Sequence, residues 1–293
     1  MNCCTFGSLR MDITIPFNIE KYDIQSEIRI TELKKTIGGS VFNTSMFLAM
    51  CGCKTTFYTS NQADSLPYVQ KLSEQYKDLS INFNEGKYSS APISIIFLDD
   101  SGEKKMISYD GKRNDLSILI DIKKRIGSFS FFYTSFYEIT LENSNRFIDV
   151  LKTAYDSSVI AFLDLCPLLL PDLFEIYNVI LRYVMILSGT KDEYLLLLQI
   201  LGITTISELQ RIYDIKYIFV KKGGQGADLY YNDKVISYTP CIKKDSFNTT
   251  GCGDVFNASV IYALSRNLSN ESILSQSVEN ASSIAYNGLP WKE

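Results

Sequence analysis

From residue 129 onward the chain alternates short apolar runs with longer amphipathic segments, and this alternation limits the folds that it can adopt. The short runs are mostly rich in β-branched or aromatic residues and predict strands at 129–134, 160–165, 184–187 and 217–220. The longer segments between them predict helices at 141–155, 191–201 and 207–213. Because such alternation is typical of βαβ units, we predict an α/β fold with a mostly parallel central sheet flanked by helices.

The N-terminal part of the chain has a different pattern. Residues 93–98 and 105–109 are rich in strand-forming residues and are joined by a turn-forming run at 99–103, and residues 13–37 alternate without a helical period. We predict that about 13–37 and 88–112 form a small β-sheet lid beside the main sheet. Since no repeat, low-complexity tract or Pro/Gly-rich linker interrupts the sequence, we expect residues 1–293 to form a single domain.

Charge, apolar runs and cysteine spacing indicate which partners and which cellular location to expect. The net charge is −4 and no cluster of Lys or Arg stands out, which argues against a nucleic-acid surface or a basic membrane anchor. No uninterrupted apolar run approaches the length of a membrane span. The seven cysteines match neither the common zinc spacing nor a Cys-x-x-Cys motif, so buried, reduced thiols are expected. We therefore expect a cytoplasmic protein without a nucleic-acid or membrane partner.

The chain contains no histidine, and this absence restricts its chemistry. It excludes a Ser-His-Asp triad, a Cys-His nucleophile pair and any metal site with histidine ligands. A general base must then be a carboxylate, a lysine, a tyrosine or a thiol.

The run from Asn248 to Ala258 places glycines and an acid directly before an apolar pattern with helical spacing. The amides of Gly251, Cys252 and Gly253 are thus predicted to lie at a helix N-terminus, which favours an anion. The carboxylate of Asp254 would repel a phosphate and so does not suit the role of a phosphate ligand. It does suit the role of a general base that takes a proton from an attacking hydroxyl. The alternative is an ordinary helix start with Asp254 as the capping residue.

This run resembles the C-terminal signature of the ribokinase-like, or PfkB, carbohydrate kinase family, Asp-Thr-Thr-Gly-Ala-Gly-Asp-x-Phe. Asn248 replaces the first Asp, Cys252 replaces the Ala, and Asp254 corresponds to the catalytic base of the family. The stretch 37–43 resembles the N-terminal signature Gly-Gly-x-x-x-Asn, which implies that Gly38, Gly39 and Asn43 contact sugar hydroxyls. Taken alone, that stretch is better explained as a glycine turn before a helix. The resemblance implies a ribokinase-like three-layer fold with a small β-sheet lid.

Further positions follow from the same resemblance. Asp12 matches a family acid that binds substrate hydroxyls, and Glu193 matches the acid of an Asn-x-x-Glu motif that orders Mg²⁺ through water, with Thr190 in place of the Asn. An acid in the first turn of a helix is the structural alternative for Glu193. Arg113 corresponds loosely to an arginine that reaches toward substrate or phosphate, although a solvated surface charge is its simpler interpretation. Residues 61–64 depart from the Gly-Asp-Asp of the family.

The nucleotide side of the resemblance is less specific. Lys221, Gly223 and Gly226 belong to a stretch similar to the Gly-x-x-Gly turn beside the nucleotide, and Thr249 lies in the C-terminal signature. Asn280 is similar to an asparagine near adenine. The structural alternatives are a simple turn for the glycine stretch and a helix-surface residue for Asn280.

The resemblance thus implies a kinase that transfers the γ-phosphoryl group of ATP to a hydroxyl of a sugar or related small polyol. It implies Mg²⁺, and a monovalent cation is commonly required in the family. A nucleoside kinase of the same fold is one alternative, with Phe17, Phe42, Tyr109 and Phe136 as candidates for an aromatic base pocket. A non-catalytic sugar- or nucleotide-binding member is another. Exposed strand edges in the lid favour a homodimer formed through it.

Overall fold

The architecture is taken from a computed structural model of the chain. It describes residues 1–17, 29–59, 66–83, 92–98, 104–111, 115–241 and 249–292. Arg113, Asn248, the departure at 61–64 and the predicted turn at 99–103 lie outside these described residues.

Within the described residues, strands and helices alternate along most of the chain. The strands are β1 (Asn2–Phe6), β2 (Arg10–Pro16), β3 (Lys34–Gly38), β4 (Lys54–Thr59), β5 (Leu79–Phe83), β6 (Ile93–Leu98), β7 (Lys104–Tyr109), β8 (Phe131–Ser135), β9 (Ile160–Asp164), β10 (Ile186–Thr190), β11 (Tyr217–Lys221), β12 (Ala227–Tyr231) and β13 (Lys234–Tyr238). The helices are α1 (Ser40–Met50), α2 (Leu66–Gln75), α3 (Asp115–Arg125), α4 (Ser144–Asp156), α5 (Phe174–Ile180), α6 (Lys191–Leu201), α7 (Ile206–Tyr213), α8 (Cys252–Ser265) and α9 (Asn270–Asn287).

The main sheet has the order β13-β12-β11-β10-β9-β8-β1-β4-β5. The neighbouring strands β11-β10-β9-β8-β1-β4-β5 pair in parallel. Strands β12 and β13 pair in an antiparallel manner at the edge next to β11. Successive side chains of a strand enter opposite faces, so Phe132 belongs to one hydrophobic cluster and its neighbour Tyr133 to the other. Helices α3 to α7 contribute to the first cluster, and α1, α2, α8 and α9 to the second. This three-layer arrangement confirms the predicted α/β fold.

Several predicted boundaries shift by a few residues. Helix α6 spans the predicted residues, but α4 begins at Ser144 rather than at 141. The backbone amide of Thr140 donates to Oδ1 of Asn143 at 2.9 Å, and this polar turn precedes the helix. Strand β10 begins at Ile186 because the chain first makes a short 3₁₀ turn at Leu181–Tyr183.

A second, four-stranded sheet has the order β3-β2-β6-β7, and its strands come from the two segments predicted to form the lid. Strand β2 begins at Arg10, which is earlier than predicted. The register places Asp12 opposite Thr36 on one side and Ser94 on the other. Because side chains alternate along strands, Asp12 and Ser94 share one face of this sheet, and Ile13 and Ile95 share the other.

Two further expectations concern the membrane and the thiols. Among the described residues no single helix is long and apolar enough to cross a membrane, while α6 and α7, with a 60° bend between them, pass that test as a pair. None of the seven cysteines, all of which lie in the described residues, forms a disulfide. Four of them are buried as expected, whereas Cys51 and Cys252 are partly exposed and Cys241 is exposed.

Candidate active site

A cleft of about 940 Å³ is lined by the small sheet together with the carboxyl ends of β9, β10 and β11 and the start of α8. Sites in open α/β sheets usually lie at the carboxyl ends of parallel strands. Most of the predicted site residues that are described line this cleft; they are Asp12, Gly39, Asn43, Glu193, Lys221, Gly223, Gly226, Thr249, Gly251, Cys252, Gly253 and Asp254. Segments far apart in sequence are thus brought to one cavity.

Helix α8 begins at Cys252, and Gly251 is its N-cap. Gly251 has a φ of 85°, in the left-handed region that glycine adopts without strain. Asp254 therefore lies in the first helical turn, and its interpretation as the capping residue is wrong. The first intrahelical bond runs from the amide of Val255 to the carbonyl of Gly251 at 2.9 Å, so helix geometry leaves the amides of Gly253 and Asp254 available to an anion.

The three amides predicted to bind phosphate are not equivalent. The amide of Cys252 already donates to the carbonyl of Thr249 at 3.3 Å. Gly253 lacks a side chain, and the positive end of the α8 dipole points to this part of the cleft. If this turn binds an anion as predicted, Gly253 is the residue on which the site would be centred.

The carboxylate of Asp254 is held by residues of the first glycine signature. The hydroxyl of Ser40 donates to Oδ1 at 2.7 Å, and the side-chain amide of Asn43 donates to Oδ2 at 2.8 Å. Thr44 adds a bond to the backbone carbonyl of Asp254 at 3.1 Å. The two sequence signatures therefore meet at one carboxylate, which is fixed in orientation at both oxygens.

The same surroundings set the charge of Asp254. Burial raises the pKa of its carboxyl group above the ordinary value. The hydrogen bonds from Ser40 and Asn43, followed by the positive charges of two lysines, oppose this rise without cancelling it. A raised pKa suits a general base, because a more basic carboxylate accepts a proton more readily.

An ion pair lies beside the start of α8, where the anion cradle is predicted. The ammonium of Lys221, at the end of β11, donates to Oδ1 of Asp164, at the end of β9, over 2.8 Å. A Cβ atom built on Gly253 would lie 3.5 Å from Nζ of Lys221, so the ammonium is next to the start of α8. Burial works against this charge, yet the nearby carboxylates, of which Asp164 contributes most, raise the pKa of Lys221. Asp164 is the last residue of β9, and this position at a strand end was its only signal in the sequence.

The carboxylate of Asp12 occupies the space above Gly38. A Cβ atom on Gly38 would lie 2.0 Å from Oδ2 of Asp12, so a side chain there would displace the carboxylate. Gly38 itself does not line the cleft, whereas Gly39 does. Gly39 has a φ of 117°, and a Cβ there would lie 2.3 Å from the carbonyl oxygen of Ser8. Gly38 thus leaves room for the carboxylate of Asp12, whereas Gly39 allows the backbone to pass close to the carbonyl of Ser8.

Glu138 is a cleft residue that the sequence analysis missed. Its carboxylate accepts hydrogen bonds from the amide of Ser8 at 3.0 Å and from the hydroxyl of Ser8 at 2.8 Å, and the residue is 6 % exposed. Both residues line the cleft. The only signal in the sequence was the position of Glu138 three residues past the end of β8.

Glu193 forms a capping box with Thr190 at the start of α6. The amide of Thr190 donates to Oε2 of Glu193 at 2.7 Å, and the amide of Glu193 donates to Oγ1 of Thr190 at 3.3 Å. The helix-start role is therefore present, and Oε2 is used by it. In the described part of the chain no group of three or more His, Cys, Asp or Glu side chains is arranged to hold a metal ion.

On the predicted nucleotide side, a short turn at Gly223–Gln225 joins β11 to β12. Gly223, Gly226 and Thr249 line the cleft, but Asn280 does not. The side-chain amide of Asn280 donates to Oγ of Ser259 at 3.0 Å, which joins α9 to α8. This part of α9 instead faces the cleft with three small residues, Ala281, Ser282 and Ala285.

Comparison with protein families identifies the chain. A family model described as pfkB family carbohydrate kinase matches residues 2–285. The chain belongs to the pfkB family of carbohydrate kinases. This membership confirms the family resemblance found in the sequence and supports a kinase acting on a sugar or a nucleoside. A search of curated protein sequences finds no match.

Solved structures share the fold of this family member. A ribokinase from Thermotoga maritima is 21 % identical, with a TM-score of 0.75 over 99 % of this chain and 95 % of that one. An adenosine kinase from Schistosoma mansoni in complex with 2-fluoroadenosine is 14 % identical, with a TM-score of 0.78 over 97 % and 94 %. A Burkholderia thailandensis nucleoside kinase in complex with inosine is 14 % identical, with a TM-score of 0.74 over 98 % and 92 %. At these identities the likeness establishes the ribokinase-like fold alone.

Proposed function

We propose that the protein is an ATP-dependent kinase that transfers the γ-phosphoryl group to a hydroxyl of a sugar or related small polyol. One observation carries the proposal: Asp254, held at both oxygens, stands in the first turn of the helix whose free amides open into the cleft. A base and an anion cradle on adjacent residues match the two requirements of phosphoryl transfer to an alcohol.

In this mechanism Asp254 removes the proton from the acceptor hydroxyl as its oxygen attacks phosphorus. Ser40 and Asn43 hold the carboxylate in the orientation in which it receives that proton. Because both oxygens already accept hydrogen bonds, the carboxylate has little rotational freedom to lose when the acceptor binds.

The charge that develops on the transferred phosphoryl group is stabilised at the start of α8. The amide of Gly253 and the positive end of the helix dipole face that group, and the ammonium of Lys221 lies beside them. Asp164 keeps Lys221 charged and in place. The small sheet, as a lid over the cleft, excludes water that would otherwise hydrolyse ATP.

Acceptor hydroxyls are bound at the side of the cleft formed by the small sheet and α1. Asp12, Asn43 and Glu138 offer oxygen or amide groups there, and a carboxylate that accepts two hydroxyl donors is well suited to a polyol. We extend the predicted acceptor set by Glu138 because its buried carboxylate lines the same cavity.

A nucleoside acceptor is the second candidate. The aromatic residues named for a base pocket do not line the cleft: Phe42 and Phe136 are buried in the core, and Tyr109 is 53 % exposed on the other face of the small sheet. Instead, Ile96 and Met106 present apolar side chains to the cleft. This apolar pair is the observation that favours a base-carrying acceptor.

The donor set fits Mg²⁺ bound mainly to substrate phosphates. Glu193 lines the cleft with one carboxylate oxygen outside the capping box, and Mg²⁺ usually takes only one or two protein carboxylates in addition to phosphate and water. Mg²⁺, when bound, neutralises charge on the phosphates. A cytoplasmic location, where ATP and reduced thiols occur together, belongs to the same proposal.

The proposal is tested by measuring ADP formation with purified protein, ATP and Mg²⁺ against a panel of sugars, polyols and nucleosides. We expect one class of acceptor to be phosphorylated. Asp254→Asn should lower kcat by a factor on the order of 10² to 10⁴, as expected for loss of a general base, while ATP binding and the fold are retained.

Asp192→Asn is the matched control, because Asp192 lies in the first turn of α6 and does not line the cleft. It should leave turnover unchanged. Near-normal turnover of Asp254→Asn would refute the assigned role. Binding of ATP or a sugar without turnover of any acceptor would favour the non-catalytic alternative.

A further inference from the structure

The segment that follows α9 is anchored against the active site. Leu289 is buried and packs in a cluster with Val255 of α8 and Ile284 of α9. The indole of Trp291 packs against the same cluster, and the amide of Lys292 donates to the carbonyl of Leu289 at 3.0 Å. These contacts fix the backbone from which the side chain of Lys292 extends.

Lys292 forms an ion pair with Asp12. Its ammonium donates to Oδ2 of Asp12 at 2.8 Å, and the two side chains are only 14 % and 11 % exposed. A Cβ atom on Gly38 would lie 2.9 Å from Nζ of Lys292 as well as 2.0 Å from Oδ2 of Asp12, so the absent side chain at Gly38 makes room for the pair. Three separate segments of the chain therefore meet at this contact.

The two members of the pair differ in their relation to the cleft. Asp12 lines it, whereas Lys292 does not. Lys292 engages Oδ2, and no hydrogen bond from any residue in the described part of the chain reaches Oδ1. A carboxylate this far from water is costly to keep charged and is free to rotate unless a partner holds it. Lys292 supplies both the countercharge and the orientation, and leaves Oδ1 for a ligand.

We propose that Lys292 is a positioning residue for the acceptor, acting through Asp12: it holds the carboxylate turned so that Oδ1 receives acceptor hydroxyls. This inference rests on the proposed kinase function. It assigns an acceptor-side role to a residue outside both family signatures and outside the cleft lining.

The test is steady-state kinetics of Lys292→Met and Lys292→Arg with the acceptor that the wild type phosphorylates. Lys292→Met should raise the KM for the acceptor roughly tenfold or more, which corresponds to about 1.4 kcal/mol, and leave the KM for ATP unchanged. Its kcat at a pH well above the pKa of Asp254 should fall less than the KM rises, because the hydrogen bonds of Ser40 and Asn43 to Asp254 are kept. Lys292→Arg restores the charge and should recover most of the acceptor affinity.

Two further measurements separate positioning from general stability. Lys35→Met is the matched control, since Lys35 is an exposed lysine of the same small sheet and should leave both KM values unchanged. In an Asp12→Asn background, Lys292→Met should cause no additional loss of acceptor affinity. If Lys292→Met alone does not fold, this comparison decides, because the double variant carries neither charge of the pair.

The outcomes distinguish this inference from the function on which it rests. If the wild type turns over an acceptor and Lys292→Met leaves the acceptor KM unchanged, the positioning role is overturned and the kinase stands. If the wild type binds an acceptor without turnover, the kinase fails, and the dissociation constants of the same variants, measured by calorimetry, decide the role of Lys292. If no acceptor is turned over or bound, both are overturned.

Discussion

The carboxylate of Asp254 combines a functional requirement with a cost to stability. It lies in the first turn of α8, where burial raises the pKa of its carboxyl group. A group whose native pKa exceeds its unfolded value binds protons more tightly in the folded state. Asp254 therefore destabilises the fold progressively as the pH rises above the unfolded value of about 3.9. Such local costs are common where a charged group is retained for chemistry.

This argument predicts a pH-dependent gain of stability in Asp254→Asn. Asparagine removes the partly buried charge and still offers an oxygen to the amide of Asn43 and an amide to the hydroxyl of Ser40. The Tm of the variant minus the Tm of the wild type should therefore increase from about pH 4 toward neutral pH. Thermal melts of both proteins over this range provide the measurement, and a difference independent of pH would contradict the raised pKa.

The wild-type enzyme should show the complementary effect on rate. Since the base acts as a carboxylate, kcat should fall as the pH drops through the raised pKa of Asp254. The acid limb of the pH–rate profile should accordingly lie above the range of an ordinary aspartate.

At the scale of single elements, one residue at the start of α6 has two separable roles, a structural one and a predicted functional one. Glu193 completes the capping box with Thr190 and is also the predicted outer-shell residue for Mg²⁺. A glutamine performs the capping function as well as a glutamate does, but carries no charge for a cation. The two roles therefore respond differently to substitution.

We predict that Glu193→Gln keeps the Tm of the wild type but raises the Mg²⁺ concentration needed for half-maximal activity several-fold. Thr205→Ala is the matched control, because Thr205 caps α7 away from the cleft: it removes a side-chain cap, costs about 1 kcal/mol of stability and leaves the Mg²⁺ requirement unchanged. Denaturant unfolding and Mg²⁺ titrations measure the two effects. An unchanged Mg²⁺ requirement in Glu193→Gln would leave Glu193 with the capping role alone.

The small sheet shows what an element-level pattern can predict. The strand-forming residues at 93–98 predicted β6 over the residues that the structure assigns to it, Ile93–Leu98. Periodicity could not show that β2 pairs with β6 in parallel and with β3 in an antiparallel manner, because pairing depends on which strands meet in space. That pairing places Asp12 beside Ser94 on the face that lines the cleft.

At the scale of the whole molecule, the two faces of the small sheet differ in character. Asp12, Ser94 and Ser108 on one face line the cleft. The opposite face carries apolar residues aligned across strands, with Ile13 opposite Ile95 and Ile95 opposite Ile107. Ile107 is 59 % exposed, although apolar side chains of this size are usually buried. A second copy of this chain would cover such a face through a two-fold symmetric contact.

We therefore expect a homodimer formed through the small sheet. Ile107→Lys places a charge in the centre of the proposed contact and should shift the protein to a monomer, since an unpaired charge opposes burial. Leu141→Lys is the matched control, because Leu141 is 67 % exposed and lies outside the small sheet. Sedimentation velocity or light scattering measures the mass, and a monomeric wild type would refute the dimer.

The sequence by itself determined the layer architecture and the chemistry-bearing signatures. Strand–helix alternation depends on local periodicity, and Gly251 before Asp254 takes a left-handed backbone conformation that favours glycine, so both are visible in one dimension. The start of α8 needed only these local signals, apart from a shift of the cap from Asp254 to Gly251.

Only the tertiary structure decided which groups meet in the cleft. The contact between Asn43 and Asp254 spans 211 positions of sequence, the pair of Asp164 and Lys221 spans 57, and the pair of Asp12 and Lys292 spans 280. No local pattern can predict contacts between residues so far apart in sequence, because it is the order of strands in the sheet that brings them together. The charge of each group then follows from its partners and from its loss of water, and both exist only in the folded chain.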